Sequence, residues 1–375
     1  MKKGKLNKVY VSVTNDLVTD NRVHKVCTSL LKFGYSVVLA GRKLPNSLPL
    51  KERNYQTKRM SLLFKKGACF YVEYNFRLFF LLLFSKTNIL LSNDLDSLPA
   101  NYFISKIKGI PLVFDSHEYF TEVPELINRP KVQKVWKWIE KSIVPKIKHA
   151  YTVCDSIAEL FNEEYKTNFK VVRNIPLAQE ANPIPKNKKI DDRRKIILYQ
   201  GALNIGRGLP QLIEAMLYVN NALLIIAGDG DIAAQLKNQV KELELVDKIQ
   251  FTGRLPLEEI NFITQQAHLG LSIEEDLGLN YRFALPNKLF DYIRAKVPVM
   301  VSNLPEMAKI VNENNFGVIL NSHDPKIVAS TISEALTNEE LRKTWQQNLN
   351  IAAKKFTWEN EEKILEQLFK EVNES

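Results

Sequence analysis

Short apolar runs alternate along this chain with stretches whose apolar residues recur every three to four positions. Residues 9–13, Val-Tyr-Val-Ser-Val, read as a strand, residues 21–33 carry a helical period, and residues 35–40, Tyr-Ser-Val-Val-Leu-Ala, read as a second strand. That is one βαβ unit. Residues 88–92 and 111–115 are further strand-like runs that end in polar side chains, and residues 131–148 read as a basic amphipathic helix carrying Trp136 and Trp138. A polar stretch from Pro176 to Arg194, with Pro183, Pro185 and a lysine cluster at 186–189, breaks the pattern. The alternation then resumes, with strands at 195–200 and 222–227, a helix at 209–219 and a short strand at 297–302. The pattern predicts an α/β protein made of two doubly wound parallel sheets, residues 1–178 and 195–355, joined by a linker at 179–194 and enclosing a cleft.

Length agrees, because 375 residues exceed what one α/β core usually holds. Composition is globular, with 45% hydrophobic and 25% charged residues, and excludes a collagen-like or largely disordered chain. Cys27, Cys69 and Cys154 are far apart and show no CxxC spacing, so neither a disulfide framework nor a cysteine zinc site is indicated. A reducing cytoplasm is the expected location. The apolar run 78–84 is far shorter than the ~18–20 residues of a membrane span, and the basic start leads into the first strand without the apolar core of a signal peptide.

The net charge of +10 is unevenly divided. Residues 1–178 hold 29 Lys and Arg against 15 Asp and Glu, net +14, and residues 179–375 hold 23 against 27, net −4. A basic first half attracts an anionic partner such as the inner face of a membrane, or serves solubility alone. No zinc-finger spacing or aromatic RNA-binding motif accompanies it, so nucleic acid is not an expected partner.

Ligands of open parallel sheets sit beyond the carboxyl ends of the strands, which singles out Asn93, Asp94, Asp96, Asp115, His117 and Glu118. His117, flanked by carboxylates after an apolar strand, is either a packed side chain or a site residue. The turn Gly201-Ala202-Leu203-Asn204-Ile205-Gly206-Arg207-Gly208 follows a strand and opens a helix, where small residues and free N–H groups approach a phosphate, or simply turn the chain. Gly228-Asp229-Gly230 lacks the third glycine of the dinucleotide fingerprint and reads as structural. In Leu285-Pro286-Asn287-Lys288-Leu289-Phe290-Asp291, Pro286 starts a helix whose positive end lies beside Lys288. Asp291 is placed to accept hydrogen bonds from paired hydroxyls such as those of a ribose; the alternative is a surface helix with an incidental Lys–Asp pair. The five histidines show no paired-ligand spacing, and no metal site is expected.

Taken in order, these pieces resemble the retaining glycosyltransferases of family 4, the group 1 glycosyl transferases with two Rossmann-like domains in the GT-B arrangement. The likeness runs through Thr19-Asp20-Asn21-Arg22-Val23, Asn93-Asp94-Leu95-Asp96, Asp115-Ser116-His117-Glu118, Tyr151-Thr152-Val153-Cys154, Val172-Arg173-Asn174-Ile175-Pro176, Tyr199-Gln200-Gly201, Arg207-Gly208-Leu209, Phe251-Thr252-Gly253 and residues 285–293. The resemblance implies transfer of a sugar from a nucleotide-diphosphate sugar to an acceptor hydroxyl of a glycan or lipid-linked glycan, with retention of configuration and no metal or other cofactor. Arg207 and Lys288 are then the cations of the diphosphate and, with His117 supporting the transferred sugar, the catalytic set. Gly201, Asn287 and Asp291 complete the donor site. Asp20, Asp96, Glu118 and Glu274 are the acceptor-side or sugar-positioning candidates. By the same resemblance the helical stretch within 356–375 crosses back onto the first domain.

The chain departs from the family in two places. Of the usual Glu-x7-Glu pair, Asp291 fills the second place but Phe283 stands in the first, leaving Glu274 or Glu275 as substitutes. Residues 14–20 lack the paired glycines many members carry. A nucleotide-sugar epimerase on the same architecture and a non-catalytic binding protein descended from a transferase are the competing readings. A nicotinamide-dependent oxidoreductase is disfavoured, since neither half has the full GxGxxG turn.

Overall fold

The computed structural model describes residues 7–18, 20–123, 126, 129–178 and 183–374. The basic start at 1–6, Thr19 of the family-like motif, residues 179–182 of the expected linker and Ser375 lie outside the described residues. The chain divides into two compact units, residues 1–174 with 361–375, and residues 175–360.

The first unit is built on β1 (Lys8–Asp16), β2 (Ser36–Lys43), β3 (Gln56–Ser61), β4 (Ile89–Asn93), β5 (Leu112–Ser116), β6 (His149–Thr152) and β7 (Phe169–Val171). They form one parallel sheet in the order β3-β2-β1-β4-β5-β6-β7. The second unit repeats the plan with β8 (Lys195–Gln200), β9 (Ala222–Ala227), β10 (Ile249–Gly253), β11 (Leu269–Ser272), β12 (Val299–Ser302) and β13 (Gly317–Leu320), ordered β10-β9-β8-β11-β12-β13 and again parallel. Strands covered by helices on both faces are apolar throughout, and all six residues of β9, Ala-Leu-Leu-Ile-Ile-Ala, are buried. In each sheet the winding reverses once, between β1 and β4 and between β8 and β11, and at such a switch point the loops diverge and leave a crevice.

The expected elements are present with shifted ends. The basic helix expected at 131–148 runs over Pro130–Ile143 and tightens into a 3₁₀ turn, Val144–Lys146. Pro145 lacks the N–H that an α-helix would continue with. The helix expected at 209–219 stops at Ala215. A helix at Gly67–Leu83 absorbs most of the apolar run at 78–84; it buries Phe70, Tyr74, Leu78 and Leu82 at four-residue spacing. No helix of the described residues is long and apolar enough to cross a membrane.

The stretch expected to be a linker lies on the second unit where it is described. Ile190 packs against that core, and its N–H donates to Gln266 Oε1 at 2.8 Å. The closing helix, Trp358–Glu374, is shared. Trp358 N–H donates to the Pro176 carbonyl at 3.0 Å and Glu359 accepts from Ala178 N–H at 2.9 Å, which keeps residues 356–360 with the second unit. From Glu361 on, the helix serves the first unit: Glu362 accepts from Ser29 Oγ at 2.6 Å and Tyr35 Oη donates to the Phe369 carbonyl at 3.1 Å.

One packing contact fixes the switch point of the second sheet. Tyr292 is fully buried with its ring against the backbone of β11, where a Cβ on Gly270 would come within 2.5 Å of the ring. Its hydroxyl lies 3.1 Å from the Leu198 carbonyl and 3.3 Å from the Leu271 carbonyl, and accepts from Gln200 N–H at 3.2 Å. Overpacking a filled core costs about 1–3 kcal/mol. Gly270→Ala is therefore expected to destabilise the second unit by about 2 kcal/mol, read as a lower denaturant midpoint with unchanged slope.

Candidate active site

In the second unit β8 delivers the chain to the glycine turn. Gly206 and Gly208 sit at φ of 82° and 67°, the left-handed region, and a Cβ on Gly208 would collide with the Ile273 carbonyl. The turn satisfies much of its own backbone. Gly201, expected to offer a free N–H to a phosphate, donates it to the Ala227 carbonyl at 3.0 Å; Leu203 N–H goes to Asp229 O at 3.1 Å and Gly208 N–H to Glu275 Oε1 at 3.3 Å. Cationic side chains, not the Gly201 amide, are what this region presents to an anion.

Those cations are organised by one acid. Glu274, immediately beyond β11, is fully buried; its Oε1 takes Lys288 Nζ at 2.8 Å and Arg207 Nη1 at 3.2 Å, and its Oε2 accepts from Ser272 Oγ at 2.8 Å. Burial pushes the Glu274 carboxyl up, but Lys288 and Arg207 outweigh it and hold it below the ordinary glutamate value. Burial likewise opposes the charge on Arg207, and Glu274 more than restores it. Lys288 Nζ stands 4.0 Å from the Tyr199 ring centroid and the Arg207 guanidinium 5.1 Å from that of Tyr281. Arg207 Nε is buried with no hydrogen-bond partner. One carboxylate against two cations leaves a surplus positive charge.

The helix Asn287–Arg294 begins after Pro286 and leaves Asn287 exposed. Lys288 pairs with Glu274 rather than with Asp291, so the incidental Lys–Asp pair is not what forms. Asp291 instead accepts from Gln200 Nε2 at 3.1 Å and stands 3.5 Å from Arg294, while Gln200 Oε1 accepts from Thr264 Oγ1 at 2.9 Å. Of the two substitutes for the missing acid, Glu275 braces the glycine turn and Glu274 holds the cations. Glu274, a sugar-positioning candidate, thus stands in the second unit beside the expected donor residues.

In the first unit the ends of β4 and β5 carry a chain of charges. His117 Nδ1 is 3.1 Å from Asp94 Oδ2 and its Nε2 is 3.0 Å from Asp115 Oδ2. Asp115, fully buried, also holds Arg22 through Nη2 at 2.8 Å and Nε at 3.2 Å, and Arg22 Nη1 donates to the Val172 carbonyl at 3.1 Å. Burial disfavours the His117 imidazolium, but Asp94 and Asp115 raise its pKa well above the ordinary histidine value; with both nitrogens facing carboxylates, it donates twice. Burial likewise pushes the Asp115 carboxyl up, and Arg22 and His117 overcome this to hold it at about 2. Asp94 has φ of 58°, and its Oδ1 accepts His117 N–H at 2.8 Å.

Asp96 is the counterpart. Burial, then the neighbouring Asp94, raise it to about 7; Thr14 Oγ1 donates to its Oδ2 at 2.5 Å, and its Oδ1 is buried without a partner. Glu118 is half-buried beside them, its carbonyl accepting from Ser116 Oγ at 2.8 Å. Asp20 is committed to local structure: it caps the helix Asn21–Lys32, accepting from Val23 N–H at 3.0 Å, and takes Asn15 Nδ2 at 3.1 Å. Among the described residues no cluster of three metal-ligating side chains occurs. Thr14, Tyr199, Gln200, Thr264, Ser272 and Tyr281 join these networks without having been singled out as site residues. Alternation along β8 and β11, which sends every second side chain to one face, is the signal that bears on Tyr199 and Ser272.

Two parallel sheets of this order make the GT-B fold, with a glycine turn and a cationic pair at the second switch point. Residues 180–350 match the family described as "Glycosyl transferases group 1", so the second unit carries that family's domain. The O-antigen chain mannosyltransferase RfbU of Salmonella typhimurium is 25% identical over 208 residues, 54% of this chain and 55% of that protein. The chain spans about half the length of the curated relatives it matches. Among solved structures, a glycosyltransferase from Rickettsia africae ESF-5 superposes with a TM-score of 0.75 at 15% identity, over 98% of each chain. Anabaena Alr3699/HepE in complex with UDP-glucose gives 0.75 at 12% identity, over 98% of this chain and all of that one.

The charge chain in the first unit has a pH signature. A histidine whose folded pKa is raised stabilises fully below the unfolded value near 6.5, and that contribution is lost as pH rises through the elevated folded value. Wild type is therefore expected to lose stability relative to His117→Gln on the alkaline side, checked by urea unfolding across pH. Arg22→Ala leaves Asp115 buried against one cation fewer and is expected to cost about 3–5 kcal/mol, measured the same way at neutral pH.

Proposed function

We propose that this protein is a retaining glycosyltransferase, moving a sugar from a nucleotide-diphosphate sugar to a hydroxyl of a glycan or lipid-linked glycan in polysaccharide or glycoconjugate assembly. The observation that carries the reading is the Arg207–Glu274–Lys288 arrangement at the switch point of the second sheet. A diphosphate leaving group gains negative charge as the glycosidic bond breaks, and fixed cations stabilise that charge without reorganising during the reaction. The surplus charge on the triad supplies this, and Lys288 and Arg207 are the residues that carry it. Asp291, held by Gln200, takes the ribose, with Asn287 at the helix start beside it.

In this reading the first unit takes the acceptor. His117, protonated and fixed between two carboxylates, orients and stabilises the transferred sugar and is not a nucleophile. Asp96 and Glu118 are the acids we assign to the acceptor side. The diphosphate charge is met by side chains, so no cofactor or divalent ion is assigned to the step. The comparisons support the coarse reading through the group 1 domain and through relatives that are themselves named as transferases; retention, the sugar and the pathway rest on the resemblance.

The test is a screen of UDP- and GDP-sugars by thermal shift, followed by transfer assays with the donor that binds. A bound donor raises the midpoint with concentration. Arg207→Ala and Lys288→Ala are each expected to lower kcat/KM about 10²–10³-fold with the folded state retained, and a chelator is expected to leave turnover unchanged. The product's anomeric configuration by NMR decides retention. No binding or turnover with any donor, or an altered nucleotide sugar formed without acceptor, would overturn the proposal.

A further inference from the structure

The first unit presents an apolar face that neither the charge chain nor the sheet uses. Three helices, Gly67–Leu83, Asp94–Lys108 and Pro130–Ile143, pack side by side over the sheet: Asn75 Nδ2 donates to the Asp96 carbonyl at 2.8 Å and the Tyr71 and Trp136 rings meet edge-on at 5.0 Å. Each buries one stripe, namely Tyr74, Leu78 and Leu82 in the first, Leu98 and Ile104 in the second, and Trp136 and Ile143 in the third. Further round each helix, the outward stripes are not polar. Phe76 and Phe80 in the first helix, and Phe84 just past its end, are 65%, 41% and 81% exposed, Phe103 and Ile107 on the second 55% and 61%, and Trp138 on the third 70%. The three phenylalanines form a continuous ladder, Phe76 to Phe80 at 4.9 Å and Phe80 to Phe84 at 6.4 Å between ring centroids. Solvated helices carry polar residues on that side, so a coherent aromatic face marks an interaction surface.

The charges around it identify the occupant. Lys65, Lys66, Lys86, Lys106, Lys134 and Lys146 are exposed on these helices and their flanking turns. The acids of the same helices are engaged elsewhere: Glu73 holds Arg77 at 2.8 Å and accepts the Leu63 and Phe64 N–H groups, Glu140 is buried on Tyr165 Oη at 2.7 Å, and Asp94 and Asp96 belong to the charge chain. Exposed aromatic side chains and exposed lysines carried by the same helices and turns match the interface of an anionic bilayer, where rings enter the headgroup boundary and lysine stems extend to the phosphates. A second copy meeting the same face would set lysine against lysine. We infer that the three-helix face bearing Phe76, Phe80, Phe84, Phe103, Ile107 and Trp138 docks on an anionic lipid surface, with the helix Gly67–Leu83 lying in the interface plane rather than across the membrane. This goes beyond the transfer reaction and does not depend on it.

The four tryptophans provide an internal probe, because Trp136, Trp345 and Trp358 are buried and Trp138 is exposed. The full chain is mixed at low salt with vesicles of phosphatidylcholine alone or equimolar with phosphatidylglycerol. Expected are co-sedimentation with the anionic vesicles, release by high salt, and a blue-shifted emission that disappears in Trp138→Phe. The Phe76→Ser/Phe80→Ser/Phe84→Ser variant is expected to bind at least about tenfold more weakly, and Lys106→Glu/Lys134→Glu to lose the preference for anionic lipid. Circular dichroism and an unchanged thermal midpoint show that both variants are folded. Absence of binding to anionic vesicles, undiminished binding by the phenylalanine variant, or an oligomer or a complex with an acidic protein that forms in place of vesicle binding and dissolves with the same substitutions would overturn the inference.

Discussion

A carboxylate with no access to water is either met by positive charge at short range or driven to take up a proton. Glu274 is such a group, and two cations from distant parts of the second unit answer it: Arg207 from the glycine turn and Lys288 from the first turn of a helix. The carboxylate therefore fixes where the turn and the helix stand relative to β11. It also keeps two long side chains from sampling solvent rotamers, so an arriving anion meets positions already set. Tyr292, three hydrogen-bonding partners deep in the same unit, ties that helix to β8 and β11 from beneath.

The two switch points are built with opposite electrostatics. The second gathers cations around one acid, in the half of the chain whose net charge is −4. The first gathers Asp94, Asp96, Asp115 and Glu118 around Arg22 and His117, in the half whose net charge is +14. Counting charge by halves thus gives the reverse of what each crevice offers. The basic excess of the first half includes the exposed lysines of the three outer helices, away from the strand ends.

Much of the architecture was readable from apolar periodicity, because fully covered parallel strands such as β4 and β9 leave uninterrupted runs that polar loops bracket. What escaped was of two kinds. The helix Gly67–Leu83 hides its period, since Phe76 and Phe80 are as apolar as the buried Tyr74 and Leu78 and after Arg77 no polar residue marks the turn of the helix. Pairings distant in sequence were also hidden: Glu274 with Arg207 and Lys288, and Gln200 between Asp291 and Thr264, depend on which strand ends the fold brings together. Residue types and strand-end position pointed to His117 and Asp96, and the family resemblance to Glu274, but not to their states. Asp20 looked like a site acid and is a helix cap, because a capping aspartate and a ligand-binding one look alike before the helix start is known.

The division of the closing helix has a bearing on biosynthesis. Ser29 and Tyr35 wait for Glu362 and Phe369, 333 and 334 residues further along the chain, before their contacts can form. The second unit lacks nothing once Asn360 has left the ribosome. Of the two units, the one whose strands are made earlier is consequently completed later, so its folding waits on synthesis of the other.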